Sequence, residues 1–131
     1  MKLNQITVPA LDLQRATEFY RLLGLRIIVN SPHYIRFVCP EGDSTFSIEL
    51  VDAIPDNSPI VVYFEIDNLD VKVGELKEAG LVFTQEPIDQ PWLWREAYLD
   101  DPSGNVICLY HAGENRLNPP HQAIIPAKAG I

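Results

Sequence analysis

Basic residues are scarce in this chain. Ten Lys and Arg stand against eighteen Asp and Glu, a formal net charge of −8. The ten are scattered, with no basic run, and a protein that neutralises phosphates needs a basic surface, so no nucleic-acid partner is expected. Cysteine is scarcer still: Cys39 and Cys108 are far apart and form no CxxC or zinc pattern, so reduced thiols are expected. Long apolar runs are missing, the strongest being residues 59–64, far too short to span a bilayer. The opening MKLNQITVPAL has no apolar segment of signal-peptide length, which leaves a cytoplasmic protein without a membrane partner as the expectation. There is no GxSxG, no phosphate-binding glycine loop and no paired-histidine metal motif. A core is not missing, because 131 residues with 47% hydrophobic content suit one compact domain.

The chain contains the same pattern twice. Residues 3–8 alternate as a half-buried strand, Asp12 stands at a helix N-cap position, and LQRATEFYRLLG carries an apolar stripe closed by Gly24. LRIIVN, YIRFV and STFSIELV then read as three strands separated by SPH and CPEGD turns. From Ile60 the order restarts. VVYFEI is a strand, Asn68 takes the place of Asp12, LDVKVGELKEAG is a helix, and Gly80 closes it. LVFTQE and LWREAYL follow as strands with IDQPW as a turn-rich link, and the DPSG turn leads into the strand NVICLY. The caps and closing glycines superimpose at a constant offset of 56 residues. Two βαβββ modules result, one over 3–52 and one over 60–111, joined by DAIPDNSP within a single domain of residues 1–113. Residues 114–131 have no periodicity and are expected to form an irregular tail, disordered at its end. The final IPAKAGI resembles peptide read through from bacterial intergenic repeat DNA, in which case the tail has no function.

A tandem βαβββ chain with FYRLLGL after its first strand and DPSGNVICLY near its end resembles the vicinal oxygen chelate superfamily of glyoxalases, bleomycin-resistance proteins and extradiol dioxygenases. The resemblance covers roughly residues 3–111 and is more specific for fold than for chemistry. It implies an α+β fold in which two modules form a cupped mixed sheet with helices on the outer face, and a homodimer is expected. Strand alternation then sets Ile6, Val8, Ile48, Leu50, Val62, Phe64, Ile107 and Leu109 toward the helices. It sets Gln5, Thr7, Ser47, Glu49, Val61, Tyr63, Glu65, Val106, Cys108 and Tyr110 toward the cup, and this second set is the more polar.

Metal-dependent relatives place four inward donors at positions that correspond here to Gln5, Glu49, Val61 and Cys108. Val61 cannot ligate, and Cys108 stands where a carboxylate is usual, so half of that set is missing. His111, just past the last strand, is the alternative donor, but its parity follows Leu109 toward the helices. The leading expectation is therefore a small-molecule-binding protein without a metal cofactor. Glu49 is its candidate catalytic or anchoring carboxylate, and Tyr34, Arg36, Tyr63, Trp92, Trp94, Arg95 and Tyr110 contact the ligand. Trp92 and Trp94 would equally suit a dimer interface, and Cys108 a small apolar filler. The alternative is a lyase or dioxygenase holding Ni, Zn, Mn or Fe through Gln5 and Glu49 with His111 or Cys108. A third reading has Glu49 moving a proton beside a carbonyl without any metal.

Overall fold

The computed structural model describes residues 1–54 and 60–120. They form two compact units: residues up to Val61 together with Asp100–Val106, and Val62–Leu99 together with the chain from Ile107 on. The first contains β1 (Gln5–Ala10), α1 (Leu13–Leu22), β2 (Arg26–Asn30), β3 (Tyr34–Val38) and β4 (Thr45–Leu50). The second contains most of β5 (Val61–Glu65), then α2 (Leu69–Glu78), β6 (Gln85–Asp89), β7 (Arg95–Asp100) and β8 (Val106–His111). The sheets have equivalent orders, β1-β4-β3-β2 and β5-β8-β7-β6. Each is a four-stranded mixed sheet of a βαβββ module, so the α+β class with two modules is observed.

Local chemistry explains why the modules repeat. Gly24 (φ 109°) and Gly80 (φ 103°) occupy the left-handed position just past each helix. In α1 the N–H groups of Gly24 and Leu25 reach back to the carbonyls of Arg21 and Tyr20; in α2 those of Gly80 and Leu81 reach Lys77 and Leu76. Both helices thus end in the same two-bond motif at the same offset. Their N-termini differ. The Asp12 carboxylate accepts from the Arg15 N–H at 3.0 Å, whereas Asn68 holds the cap position without a side-chain bond.

The core of the first unit is aromatic. Tyr20 of α1 packs its ring 4.5 Å from Phe46 and 5.9 Å from Phe37, all three buried between helix and sheet. Val8, Ile35 and Ile48 share that face, as strand alternation requires. Ile6 and Leu50, expected beside them, are exposed at the strand ends. In the second unit α2 buries Leu69, Val73 and Leu76, while Val62, Ala97, Leu99, Ile107 and Leu109 are buried in the strands.

One strand departs from expectation. LVFTQE does not form a strand throughout; β6 begins at Gln85 and runs through Pro87 to Asp89, leaving a tight turn at residues 90–94. Pro87 is tolerated because β6 is an edge strand, where a missing N–H costs no ladder bond. After β8, a short 3-10 helix over Gly113–Arg116 adds order at the start of the expected irregular tail. The end of that tail, and residues 55–59 of the linker, lie outside the described residues. No helix among the described residues is long and apolar enough to cross a membrane.

Candidate functional site

Two sheet faces gather the chemistry, one in each unit. In the second unit Trp94, Glu96 and Tyr98 alternate onto one face of β7 and its approach. There Cys108, Tyr110 and Ala112 form a buried cluster with Trp94 and Tyr98 packed against it. Trp94 stacks on Tyr110 with centroids 4.6 Å apart and planes 19° apart. Tyr63 of β5 meets Trp94 and Tyr110 edge-on, at 6.3 and 5.8 Å, and is 49% exposed. Two rings thus fix a third that faces solvent.

Glu96 is the charged group within this face, only 3% exposed. Its Oε2 accepts from the indole Nε1 of Trp92 at 3.1 Å, and its Oε1 from the Tyr98 hydroxyl at 3.2 Å. The carboxylate thereby ties the exposed Trp92, at the tip of the β6–β7 turn, to the sheet. That turn carries Leu93 at φ 66°, a left-handed backbone that an L side chain adopts at a cost of roughly 1–2 kcal/mol. The bond between Trp92 and Glu96 helps hold it.

The surroundings of Cys108 disfavour its thiolate, the nucleophilic form. Burial pushes its thiol up to about 12, and the Tyr98 hydrogen bond offsets this only in part. Tyr98 is raised in turn, first by burial and then by Cys108. The cysteine fills space beside the aromatic cluster, and both Cys39 and Cys108 are free thiols.

In the first unit, β1, β4 and β3 carry a continuous polar chain. Thr45 Oγ1 donates to Gln5 Oε1, and Gln5 Nε2 donates to Ser47 Oγ at 2.8 Å. Ser47 Oγ and the Tyr34 hydroxyl are 2.6 Å apart, and Arg36 Nε donates to the same Tyr34 oxygen at 3.0 Å. Ser47 is fully buried, Tyr34 and Arg36 are half-buried, and Glu49 is exposed beside them as the cross-strand partner of Tyr34. The Ser47 bond lowers the Tyr34 phenol; partial burial opposes it, and the Arg36 guanidinium lowers it further.

Three expected site residues are placed otherwise. Arg95 lies on the opposite face of β7 from Trp94. It makes a fork to Asp70 of α2 at 2.9 and 3.1 Å and a further bond to Asp89 at 2.9 Å. These carboxylates hold it on the helix side, away from the aromatic lip. His111 also lies on that side, with Asp67, Asp70 and Arg95 around a pocket of about 270 Å³. Its Nδ1 is buried without a hydrogen-bond partner, 3.9 Å from Glu65 Oε2. Glu65 accepts from the Ala112 and Gly113 backbone N–H groups, both at 2.8 Å. Partial burial raises the Glu65 carboxyl, but these bonds, with His111 and Arg116, bring it below its usual value.

The third is Gln5, whose pairing with Glu49 in an ion site meets a geometric obstacle. The strand register sets Gln5 opposite Thr45 and Glu49 opposite Pro9. The two are therefore four residues apart along paired strands, about 13 Å at ~3.3 Å per residue. Both heteroatoms of the Gln5 amide are already bonded to Thr45 and Ser47. A shared ion would need both donors at ~2.0–2.2 Å. Cys108 is buried within the aromatic cluster and His111 faces α2, so the residues present do not fit the expected centre. Among the described residues, no three His, Cys, Asp or Glu side chains gather as around a metal ion.

Glu96 and Ser47 carry more of the two faces than the sequence suggested. Glu96 had a signal: it sits at period two between Trp94 and Tyr98 in WREAY. Proximity to the tryptophans points to Arg95, whereas parity points to Glu96.

Residues 2–109 match the family model of the Glyoxalase/Bleomycin resistance protein/Dioxygenase superfamily. No curated protein matches in sequence. Among solved structures, a family enzyme from Burkholderia phytofirmans PsJN is 19% identical, with TM-score 0.72 over 86% of this chain and 99% of its own. A lactoylglutathione lyase from Agrobacterium tumefaciens is 19% identical, with TM-score 0.72 over 84% and 92%. A bleomycin-binding protein complexed with bleomycin is 21% identical, with TM-score 0.68 over 85% and 98%. At these identities the likeness is one of fold.

Proposed function

Because this chain belongs to the glyoxalase/bleomycin resistance protein/dioxygenase superfamily, we propose that it is one of the small-molecule-binding members, working without the family's metal centre. The observation that carries this reading is the Trp94–Tyr110 stack with Tyr63 set edge-on and half exposed beside it. Aromatic rings held rigid by their neighbours stack on a planar ligand at little entropic cost, and base-like or heteroaromatic rings fit such a surface. The bleomycin-binding protein of the same fold supports the reading, since that protein is complexed with a small molecule. Trp92, exposed at the β6–β7 turn, lines the lip of this face. The protein works as a homodimer in the cytoplasm in this reading.

A thermal-shift and tryptophan-fluorescence screen of planar aromatic compounds, bleomycin included, tests it. Binders should quench the wild type and lose that effect in Trp94→Ala or Tyr63→Ala. Binders that hold equally well to both variants overturn the aromatic face as the site.

A further inference from the structure

The polar chain of the first unit has a direction, and the direction has an end. Thr45 has one hydroxyl hydrogen, and both of its neighbours, the Asn4 carbonyl and Gln5 Oε1, are acceptors. Gln5 Nε2 lies 3.1 Å from the Ile6 carbonyl oxygen, which can only accept, so the orientation of the amide is fixed and its nitrogen faces Ser47. Ser47 Oγ therefore accepts from Gln5. Its own hydrogen has Tyr34 as its partner, and Ser47 is fully buried, so donation in the other sense would leave a buried hydroxyl hydrogen unsatisfied. Arg36 Nε, a donor only, points at the same phenolic oxygen. Tyr34 Oη thus accepts twice, once from a cationic group, and its own hydrogen is the one left over. The Nη groups of Arg36 have no partner among the described residues.

We propose that Tyr34 and Arg36 form a carboxylate-recognition site, in which the Tyr34 hydroxyl and the free Arg36 N–H groups donate together to one carboxylate of a bound small molecule. A guanidinium fork matches the planar geometry of a carboxylate, and a phenol that accepts two hydrogen bonds is a stronger donor than a free one. The floor is pre-organised: Ser47 and Gln5 hold the phenol, and the Arg36 guanidinium carbon sits 5.4 Å from the Tyr34 ring centroid. Glu49 is the only carboxylate in the four strands of this sheet, and it is exposed to water beside Tyr34. Arg26, paired with Val38, is the remaining charge on this face. This inference builds on the reading of the chain as a small-molecule binder but uses a different face from the aromatic stack, and its test has a separate readout.

The probes are sodium benzoate and its neutral counterpart benzamide, titrated at constant ionic strength with the Arg36 Nε–H resonance as the signal. Benzoate should bind in the millimolar range and shift that resonance, and benzamide should not. Tyr34→Phe should weaken benzoate about tenfold, the effect of losing one hydrogen bond to a charged group. Ser47→Ala, checked for folding by circular dichroism, should weaken it less, because it loosens the phenol without removing the donor. Unchanged benzoate affinity in Tyr34→Phe, equal binding of benzamide, or no saturable benzoate binding would each overturn the site. Tryptophan quenching by benzoate without movement of the Arg36 signal overturns it as well, and leaves the aromatic face standing.

Discussion

Tyr20 of α1 donates its hydroxyl hydrogen to Asp101 Oδ2 over 2.5 Å, across 81 residues of sequence. Asp101 is the first residue of the DPSGN turn, and it also accepts from the backbone N–H groups of Ser103 and Asn105 and from the Asn105 side chain. The same Asn105 amide donates to the Pro9 carbonyl, and Ser103 Oγ accepts from the Leu11 N–H. The turn between β7 and β8 is therefore built into the first unit by side chains rather than by strand pairing.

Removing the Tyr20 hydroxyl tests this lock. Tyr20→Phe keeps the ring packing and leaves the buried Asp101 one donor short, so unfolding in urea should become easier by about 1–3 kcal/mol. The pH dependence has a definite sign. Burial, then the Asp101 carboxylate, raises the Tyr20 phenol far above its ordinary value. Its contribution is complete below the unfolded value near pH 10 and is lost as pH rises toward the folded one. Above pH 10 the wild type should lose about 1.4 kcal/mol per pH unit from this group alone. Tyr20→Phe should lack that component, and equal alkaline slopes in the two proteins would contradict it.

How much of this was legible follows from how local each signal is. Asp12, Gly24, Asn68 and Gly80 define the repeat because helix caps and closing glycines are set by residues a few positions away. The path through Pro87 was not legible, since edge status depends on which strand lies outside β6. Parity correctly turned His111 toward the helices, yet proximity grouped Arg95 with the tryptophans although its parity sets it with Asp70. The separation of Gln5 from Glu49 is a matter of register between β1 and β4, which no single strand reveals.

Arg95 supplies a second prediction. It binds Asp70 and Asp89 on an exposed surface, where ion pairs contribute little and are screened by salt. Arg95→Ala should lower the melting temperature slightly at low ionic strength and hardly at all in high salt. Binders found by tryptophan quenching should keep their affinity for this variant. A large loss would return Arg95 to the ligand site.

The two thiols should react in order. Burial raises both, but Cys39 is half-buried while Cys108 is fully buried and pushed up to about 12. Because the thiolate is the reactive form, a disulfide-exchange reagent at pH 8 should modify Cys39 in the native protein and reach Cys108 only after denaturation. Mass spectrometry of the peptides reads the order directly, and early labelling of Cys108 would show that the cluster around it opens.

Tyr34 should titrate below an ordinary tyrosine. The Ser47 and Arg36 bonds favour its phenolate, partial burial opposes them, and Glu49 opposes them more weakly. Ultraviolet difference titration of wild type against Tyr34→Phe should isolate a phenol ionising before Tyr20, Tyr98 and Tyr110, whose phenols burial raises. Replacing Arg36 with Met should move that ionisation upward, because a cationic donor is lost. Replacing Glu49 with Gln should move it downward. A Tyr34 ionisation indifferent to both changes would mean that the polar chain does not hold its hydroxyl.

The bridge at Glu96 separates structure from binding most sharply. Trp92 Nε1 can only donate, whereas the Tyr98 hydroxyl can donate or accept. Glu96→Gln can therefore keep the Trp92 bond through its carbonyl and let its amide donate to a reoriented Tyr98, so its cost in stability should be small. Glu96→Ala leaves the Trp92 and Tyr98 donors without their acceptor in a buried place and should destabilise by about 1–3 kcal/mol. It also frees the turn that carries Leu93 in its left-handed conformation. Trp92 emission should then shift toward that of a solvated indole, read in a Trp94→Phe background so that one tryptophan reports. If Glu96→Gln instead destabilises as much as Glu96→Ala, the ionised carboxylate itself is required, and Glu96 belongs with the charged groups of the ligand face rather than with its scaffold.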